Sequence, residues 1–359
     1  MCEWFTQPNL WQSSLSFWMR VPKVNQPFYL LIPTLSFWLI AQVVMKLSPQ
    51  PKSWSRFVII SILLALTMRY VVWRSLSTLN LSNPLDGVFS LLLFFMEMVV
   101  VLGITIQLFL MLTIKDRQLE AELYSQAVKQ ELFLPSVDIL IPSYNEPDFI
   151  LSRTIIGCQA LEYRRKKIYL LDDGNRPEIK QLAQQLGCYY ITRPDNRHAK
   201  AGNLNHATAQ TSGELIVVFD ADFVPTKNFL IRTVGFFQNK NIALVQTPQS
   251  FYNSDPIARN LGLEKFLTSE EEIFYRQIQP IKDGAGSVLC SGTSFVVRRS
   301  VLREVGGFVT NSLSEDYFTG IRLSASGYDL VYLDEKLSSG LAAESISAHI
   351  RQRLRWVRG

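Results

Sequence analysis

The stretch ELIVVFDADFVP, residues 214–225, decides the fold of the larger part of this chain. Its apolar run from Leu215 to Phe219 is short and rich in β-branched residues, which indicates a buried strand. Two carboxylates, Asp220 and Asp222, follow directly, and Pro225 ends the segment. A strand that runs into an Asp-x-Asp pair predicts a polar site at one edge of a sheet.

The segments around this strand repeat its pattern, because short apolar runs alternate with longer amphipathic stretches from Pro135 onward. We predict strands in SVDILI, KIYLL, CYYI, ELIVVF and IALVQ, and helices over Pro147–Leu161, Pro177–Leu186, Ala199–Ala209 and Thr226–Gln238. Such alternation is typical of an α/β domain with a mainly parallel sheet that is flanked by helices on both faces.

Acidic side chains follow two of the predicted strands. Asp172 and Asp173 come after KIYLL, and Asp220 and Asp222 come after ELIVVF. Ligands gather at the carboxyl ends of parallel strands, so we expect the four carboxylates to converge on one edge. Mg²⁺ and Mn²⁺ favour carboxylate oxygens and leave coordination positions open for phosphate. Any single aspartate here is better explained as a helix or turn cap, whereas two pairs favour a metal site.

A cationic position accompanies these acids. In RHAKAGNLNHA, Lys200 and Gly202 lie where a loop enters a predicted helix, and such a junction can meet an anion. The chain contains no phosphate loop of the form G-x-x-x-x-G-K-[ST] and no G-x-G-x-x-G after a strand, which disfavours ATPase and dinucleotide dehydrogenase functions. The four cysteines and three histidines show no metal-ligand spacing.

The N-terminal part has a different composition. Only seven charged residues occur between Phe28 and Ile114. Three apolar segments, Tyr29–Leu47, Phe57–Trp73 and Val88–Ile114, approach or exceed the roughly 20 residues that cross a bilayer. We therefore predict a transmembrane region over residues 28–114, after an N-terminal segment 1–27 whose residues Trp4–Met19 suggest an interfacial helix. Three buried core helices are the alternative, and the aromatic and basic residues at the segment ends disfavour it.

Basic residues predict the orientation of these spans. Lys46, Lys52 and Arg56 surround the first connection, whereas residues 75–85 in the second contain no lysine or arginine. The positive-inside rule then places the first connection, and everything after the third span, in the cytosol. We expect a cytosolic linker helix over residues 115–134 and a catalytic domain over residues 135–359.

Two further motifs lie near the end of the chain. In NSLSEDYFTGIRL, Glu315 and Asp316 begin a predicted helix, and taken alone they are equally explained by helix capping or by catalysis. In HIRQRLRWVRG, Arg351, Arg355 and Arg358 share one face of a predicted helix. Arginine binds phosphate oxygens well, although a solvated basic face is the simpler explanation for an isolated arginine-rich helix.

Taken in order, these motifs resemble the processive family 2 glycosyltransferases of the bacterial cellulose synthase type. The resemblance runs from about Arg69 to Gly359, and the segments that carry it are RYVVWR, DILIPSYNEP, YLLDDGNRPEI, RPDNRHAKAGNLNHA, DADFVP, VQTPQSFYN, SEDYFTGIRL and QRLRW. It implies a GT-A fold, a UDP-sugar donor and Mg²⁺ (or Mn²⁺) as cofactor.

The resemblance also implies a role for each matching residue. Asp220 and Asp222 match the Asp-x-Asp that binds metal and diphosphate, and Asp316 matches the general base. Nucleotide contacts fall on Tyr144, Glu146 and Asp173, a diphosphate contact falls on Lys200, and the Gln-x-x-Arg-Trp motif falls on Gln352, Arg355 and Trp356. We count Asp316, Asp173 and Asp222 as the candidate catalytic residues.

The function implied is transfer of glucose from UDP-glucose to the non-reducing end of a β-1,4-glucan by a multi-pass protein of the inner (plasma) membrane. Its expected partners are the β-glucan acceptor, membrane lipid and other synthase subunits, with no nucleic acid. Two alternatives stay open. The same fold could make a mannan, a β-1,3-glucan or a hyaluronan-like polymer, and a chain truncated after the Gln-x-x-Arg-Trp motif could bind UDP-sugar without turnover.

Overall fold

A computed structural model describes residues 27–50, 52–254, 256–264, 266–267 and 269–358. The chain divides into two compact units, Met1–Thr113 and Ile114–Gly359. The interfacial helix predicted over Trp4–Met19 lies outside the described residues. Each unit is described below by itself.

The first unit is helical. Its described helices are α1 (Pro27–Leu47), α2 (Ser53–Ser77) and α3 (Pro84–Leu110), and a 3₁₀ turn over Met111–Thr113 continues α3. By length and composition, two helices are able to cross a membrane, namely Ser53–Ser77 and Pro84–Thr113. The apolar part of α1, Leu31–Leu47, is shorter than the roughly 20 residues needed. Of the three predicted spans, the described residues thus support two.

Helices α2 and α3 expose their apolar side chains instead of burying them. In the most apolar 18-residue stretch of α3 with its 3₁₀ extension, no residue is buried. In the corresponding stretch of α2, only 11% of the residues are buried. A core helix of a water-soluble protein would be mostly buried, so this exposure favours a lipid environment. Helix α3 begins at Pro84 after Asn83, whose side-chain oxygen accepts the amide proton of Asp86 at 2.9 Å. Arg74 of α2 forms an ion pair with Glu97 of α3.

The second unit is an α/β domain around a seven-stranded sheet. Its strands are β1 (Val137–Ser143), β2 (Lys166–Asp172), β3 (Tyr189–Thr192), β4 (Leu215–Val218), β6 (Ile242–Gln246), β7 (Phe295–Arg298) and β8 (Asp329–Tyr332), in the order β3-β2-β1-β4-β7-β6-β8. A separate two-stranded sheet pairs β5 (Val224–Pro225) with β9 (Ser338–Ser339). The predicted mainly parallel sheet is confirmed, and each of the five predicted strand segments forms a strand.

One strand runs against the others, which the sequence pattern did not predict. Strand β7 is antiparallel to both β4 and β6, with Phe295 beside Val218 and Gln246. The residues just before β7 therefore lie next to the residues just after β4. This reversal brings Gly292 and Thr293 to the edge that carries Asp220.

Helices cover both faces of the sheet, and each face has its own apolar core. The helices of the second unit are α4 (Gln118–Lys129), α5 (Asp148–Gln159), α6 (Pro177–Gln185), α7 (Ala199–Gln210), α8 (Phe229–Val234), α9 (Pro256–Asn260), α10 (Glu270–Ile273), α11 (Gln279–Gly284), α12 (Arg299–Glu304), α13 (Glu315–Ala325) and α14 (Ile346–Arg358). A π-helical turn, Phe274–Ile278, joins α10 to α11, and a 3₁₀ turn, Gly235–Gln238, follows α8. One core packs around Ile139 and Leu170, and the other around Leu140 and Leu171. Alternate residues of the same strands thus serve opposite faces.

Candidate active site

Asp172, the last residue of β2, has an internal structural role. Its side chain is completely buried, and it accepts hydrogen bonds from the amides of Gly174 (3.1 Å) and Arg176 (2.7 Å) and from the hydroxyl of Tyr190 (2.9 Å). The expectation that Asp172 joins a converging acidic site is therefore wrong. Its carboxylate stabilises the turn after β2, as the capping alternative for a single aspartate supposes.

Asp173 is oriented by an arginine from the loop before α7. The Nε and Nη2 atoms of Arg193 donate to the two carboxylate oxygens of Asp173 at 2.6 and 2.7 Å, and both side chains are about 6% exposed. Arg193 also donates to the carbonyls of Arg197 and Ala199. A two-pronged arginine–carboxylate pair of this kind fixes geometry as well as charge. Sequence reasoning missed Arg193, since its only signal was its place in the matching segment.

The loop after β1 contains Tyr144 and Glu146. The Glu146 carboxylate accepts from the Ser143 hydroxyl at 2.9 Å and from the Tyr144 amide at 2.8 Å, which closes the turn. Arg176 donates to the Glu146 carbonyl at 2.7 Å and so connects this loop to the one after β2. The Tyr144 side chain is exposed. Parallel pairing of β1 and β2 brings the two loops together, because Ser143 lies beside Asp172.

The Asp-x-Asp pair follows β4 as predicted. The amide of Asp220 donates to the Thr293 hydroxyl at 2.9 Å, which anchors the pair to the loop before β7. Burial raises the pKa of Asp222 to about 6, and the negative charges of Asp220 and Glu146 add to the increase. The side chain of Glu146 thus acts electrostatically on the same site.

Lys200 connects this pair to the loop before β7. Its Nζ donates to the Asp220 carboxylate and, at 2.7 Å, to the carbonyl of Gly292. The lysine lies in the first turn of α7. His198, just before this helix, and Ala199, its first residue, both have left-handed backbone conformations, with φ of 60° and 42°. Burial lowers the pKa of the Lys200 amine, but the nearby carboxylates outweigh burial, so the net pKa is raised and the amine stays cationic.

Asp316 approaches the same lysine from α13. Its Oδ1 accepts the Tyr317 amide proton at 2.8 Å in the first turn of that helix. Burial raises the pKa of the Asp316 carboxyl, and the positive charge of Lys200 partly opposes this. Burial likewise raises the pKa of Glu315. The sheet edge therefore holds several acidic groups around one cation.

Gly292 shows how close these groups are. A Cβ atom at this position would lie 2.7 Å from Oδ2 of Asp316 and 3.6 Å from Nζ of Lys200. The backbone φ of Gly292 is +82°, a conformation that favours glycine. A side chain at this position would therefore collide with the Asp316 carboxylate. Sequence reasoning did not identify Gly292, because nothing in the segment SGT indicated that this glycine would lie beside Asp316 and Lys200.

The terminal helix α14 stands apart from this cluster. Gln352 is half-buried and lines a cavity of about 260 Å³ together with Gln249 and Glu271. Arg355 is exposed, and within the described part of the chain no hydrogen bond or ion pair connects it to Asp220 or Asp222. The side chain of Trp356 lies outside what the structure describes. The structure therefore brings Asp316 to the Asp-x-Asp pair but does not bring Arg355 there.

The donor set at Asp220 and Asp222 fits a hard divalent cation in part. In the described ranges, no group of three or more histidine, cysteine, aspartate or glutamate side chains could hold a metal by itself. Mg²⁺ is commonly bound by one or two carboxylates and completed by substrate phosphates and water. Burial, and after it the negative charge of Asp220, raises the pKa of Asp222, and such a cation would favour the ionised carboxylate.

Comparisons with known proteins identify the family and the fold of the second unit. A family model described as "Glycosyltransferase like family 2" matches residues 135–359. The sequence is 37% identical over 302 residues to Cellulose synthase 2 of Novacetimonas hansenii, covering 82% of this chain and 18% of that protein. It is also 37% identical over 296 residues to the Cellulose synthase 1 catalytic subunit [UDP-forming] of Komagataeibacter xylinus, covering 82% of this chain and 39% of that protein. The chain thus spans less than half the length of these curated relatives.

A solved structure shares the fold. A mannosyltransferase from Pyrobaculum calidifontis, solved in complex with GDP-Man and Mn²⁺, superposes with a TM-score of 0.50 at 17% identity, over 66% of this chain and 70% of its own. At that identity the likeness concerns the fold, which is a GT-A-like α/β fold as predicted.

Proposed function

The chain belongs to glycosyltransferase family 2, and from this premise we propose that it transfers glucose from UDP-glucose to the non-reducing end of a β-1,4-glucan. The observation that supports this reaction most directly is the position of Asp316, whose carboxylate and the Lys200 amine both lie beside Gly292, while Lys200 also donates to the Asp-x-Asp residue Asp220. A proton acceptor and the groups that would bind a diphosphate therefore lie together at one edge of the sheet.

In the proposed reaction, Asp316 is the general base. A sugar hydroxyl is a poor nucleophile, so its proton must be accepted while its oxygen attacks the anomeric carbon of the donor. A carboxylate whose pKa is raised by burial is a stronger base than an ordinary aspartate, which suits this task near neutral pH. The proton passes to Asp316, and the electron pair of the broken C–O bond leaves with UDP.

The leaving group requires compensation of negative charge. Lys200 would contact the diphosphate, and its amine is held between Asp220 and the Gly292 carbonyl. Mg²⁺ (or Mn²⁺), held by Asp220 and Asp222, would neutralise charge that develops on the diphosphate. A single displacement of this kind inverts an α-linked donor to a β-linked product.

The nucleotide would be held by the loops after β1 and β2. We assign uridine contacts to Tyr144, Glu146 and Asp173. The pairing of Asp173 with Arg193 supports a positioning role for that carboxylate, since it is fixed before any ligand arrives. Asp173 is then catalytic only in the sense of orienting the donor.

The terminal helix would complete the acceptor side. We assign Gln352 and Trp356 to the acceptor glucan and Arg355 to the diphosphate. An indole suits the C–H faces of a sugar, and arginine suits phosphate oxygens. Because Arg355 is exposed, this assignment requires the helix to move toward the sheet edge when donor and acceptor are present.

The apolar helices of the first unit support a membrane location. We propose an inner (plasma) membrane protein with residues 28–114 in the bilayer, residues 115–134 as a linker and the transferase domain in the cytosol. Lys46, Lys52 and Arg56 support this orientation. Membrane lipid, the glucan and other synthase subunits are the proposed partners.

Membranes that contain the full chain provide the test. They are incubated with individual UDP-sugars and Mg²⁺, and any polymer is analysed by its linkage. A β-1,4 polymer from UDP-glucose supports the proposal. A polymer from another sugar or with another linkage contradicts the proposed donor or product and identifies the actual one. UDP binding without polymer from any donor contradicts the proposed activity.

A further inference from the structure

The four arginines of α14 are not equivalent. Arg351, Arg355 and Arg358 are exposed, whereas the side chain of Arg353 is only 20% exposed. Arg353 forms an ion pair with Glu271, whose side chain is 14% exposed. These two residues are 82 positions apart, so the pair joins the terminal helix to a distant part of the domain.

The aliphatic side chains of α14 that the structure describes pack only weakly against the rest of the domain. Its larger aliphatic side chains are exposed, to 51% for Ile350, 49% for Leu354 and 86% for Val357. Burial of these three side chains therefore contributes little to holding this helix in place. A shielded ion pair then carries a larger share of the attachment than it would in a well-packed helix, because water and salt screen it less.

Glu271 lies on a firmly held base. It belongs to a continuous helical segment that runs from α10 through the π-helical turn into α11. At the far end of this segment, Asp283 is 1% exposed, binds Arg117 at 2.8 Å and accepts the Tyr332 amide proton at 3.1 Å. Within the segment, Tyr275 is buried in the core. The carboxylate that binds Arg353 is thus anchored to the sheet.

The pair also adjoins the cavity that Gln352 lines. Glu271, Gln352 and Gln249 share this cavity of about 260 Å³. The side-chain amide of Gln249 donates to the Ser291 carbonyl at 2.5 Å. The carbonyl of the next residue, Gly292, accepts from Lys200. One wall of the cavity is therefore continuous with the loop that contacts the proposed general base.

We propose that the Glu271–Arg353 ion pair is a positioning device that sets α14 against the catalytic domain and so places Gln352 at the cavity wall. This inference rests on the proposed function and goes beyond it, because neither residue touches the reacting atoms. Loss of either charge should leave the sheet-edge part of the donor site intact and misplace the helix. A displacement of about 1 Å near a reacting centre can cost on the order of 100-fold in rate.

The test uses the full chain in detergent or membranes, with Glu271→Gln, Arg353→Gln and the charge exchange Glu271→Arg/Arg353→Glu. Arg164→Gln is the matched control, because Arg164 forms an exposed ion pair with Glu131 at 3.5 Å. Each variant is measured for kcat and KM with UDP-glucose, for UDP affinity, and for hydrogen exchange of the backbone amides in residues 346–358. We expect kcat to fall about 10- to 100-fold in the single variants. Exchange in this helix should rise about tenfold, with UDP affinity within about twofold of the parent protein.

The charge exchange should restore most of the activity and the protection, while Arg164→Gln should behave like the parent protein. Unchanged exchange in the single variants would overturn the proposal, and so would faster exchange with unchanged kcat in an active enzyme. A charge exchange that restores neither property also contradicts it. If the parent chain makes no polymer from any UDP-sugar, the proposed function fails, and the exchange measurement still decides whether the pair anchors the helix.

Discussion

The sheet edge and the terminal helix contribute to this protein in opposite ways. At the sheet edge, Lys200, Asp220 and Asp316 are held by strands, by a glycine turn and by mutual charge. In α14, Arg355 is exposed, and an ion pair between Arg353 and Glu271 joins the helix to another part of the domain. The comparison indicates that the charged groups at the sheet edge hold one another in place, whereas the side chain of Arg355 is not held by a described partner.

A preorganised edge has an energetic cost. Burial raises the pKa values of Asp222, Glu315 and Asp316, and the negative charges of neighbouring carboxylates add to the increase. The surrounding sheet must offset this repulsion, since the chain would otherwise separate the charges. Substitutions at the edge should therefore affect catalysis and stability differently from substitutions in α14.

The largest effect is expected from Asp316→Asn. This change removes the proposed proton acceptor while keeping the shape of the side chain, so transfer should fall by about 100- to 10,000-fold. UDP affinity should be largely retained, since Asp316 is not assigned to the nucleotide. Turnover and UDP binding are measured side by side, with the exposed Glu162→Gln as control. Retained turnover in Asp316→Asn would remove the general base from the mechanism.

Gly292→Ala should have the next largest effect. The added methyl group would lie 2.7 Å from Oδ2 of Asp316, so the carboxylate or the loop must shift, and turnover should fall about 100-fold. The matched control is Gly286→Ala, because Gly286 also has a positive φ, +68°, but has nothing within 4 Å of the added atom. Both variants carry the backbone strain of about 1–2 kcal/mol, and only the first should lose activity. Equal losses in both would assign the effect to strain alone.

Asp222→Asn should increase the stability of the folded protein, an effect smaller than the losses of activity expected from the two variants above. The pKa of Asp222 is raised from 3.8 to about 6, so the folded state holds this proton more tightly than the unfolded state. Stability from this group is therefore fully present below pH 3.8 and is lost as the pH rises through about 6. At pH 7.5 without metal, the asparagine variant should be about 2 kcal/mol more stable than the parent and should be inactive.

Thermal unfolding from pH 4 to pH 8 in the presence of a chelator measures this difference. The gap between the two proteins should widen as the pH rises through the window and then remain constant. A gap that does not change with pH would show that Asp222 titrates normally.

The smallest effect on stability is expected from Arg355→Gln. Because Arg355 is exposed and has no described partner, its loss should change the free energy of unfolding by less than about 0.5 kcal/mol. Arg353→Gln on the same helix should destabilise the attachment of α14 instead. Thermal unfolding of both variants sharpens the comparison, and a larger loss in Arg355→Gln would show that this side chain has a structural role in the folded protein.

The sequence alone determined the layered α/β fold, five of the strands and the position of the Asp-x-Asp pair. These features depend on local periodicity and on the rule that parallel strands end at a common edge, and both can be recognised along a single chain. The apolar N-terminal helices were also evident, although the described residues support two spans where three were expected.

Tertiary structure alone decided which acids belong to the site. Asp172 and Asp173 are adjacent in sequence, yet the carboxylate of Asp172 accepts hydrogen bonds from its own turn, whereas that of Asp173 accepts from Arg193. The reversed strand β7 brings Gly292 and Thr293 to Asp220, and Glu271 meets Arg353 across 82 positions. Contacts between residues so far apart depend on how the strands are ordered and directed, and no local pattern of side chains encodes that order.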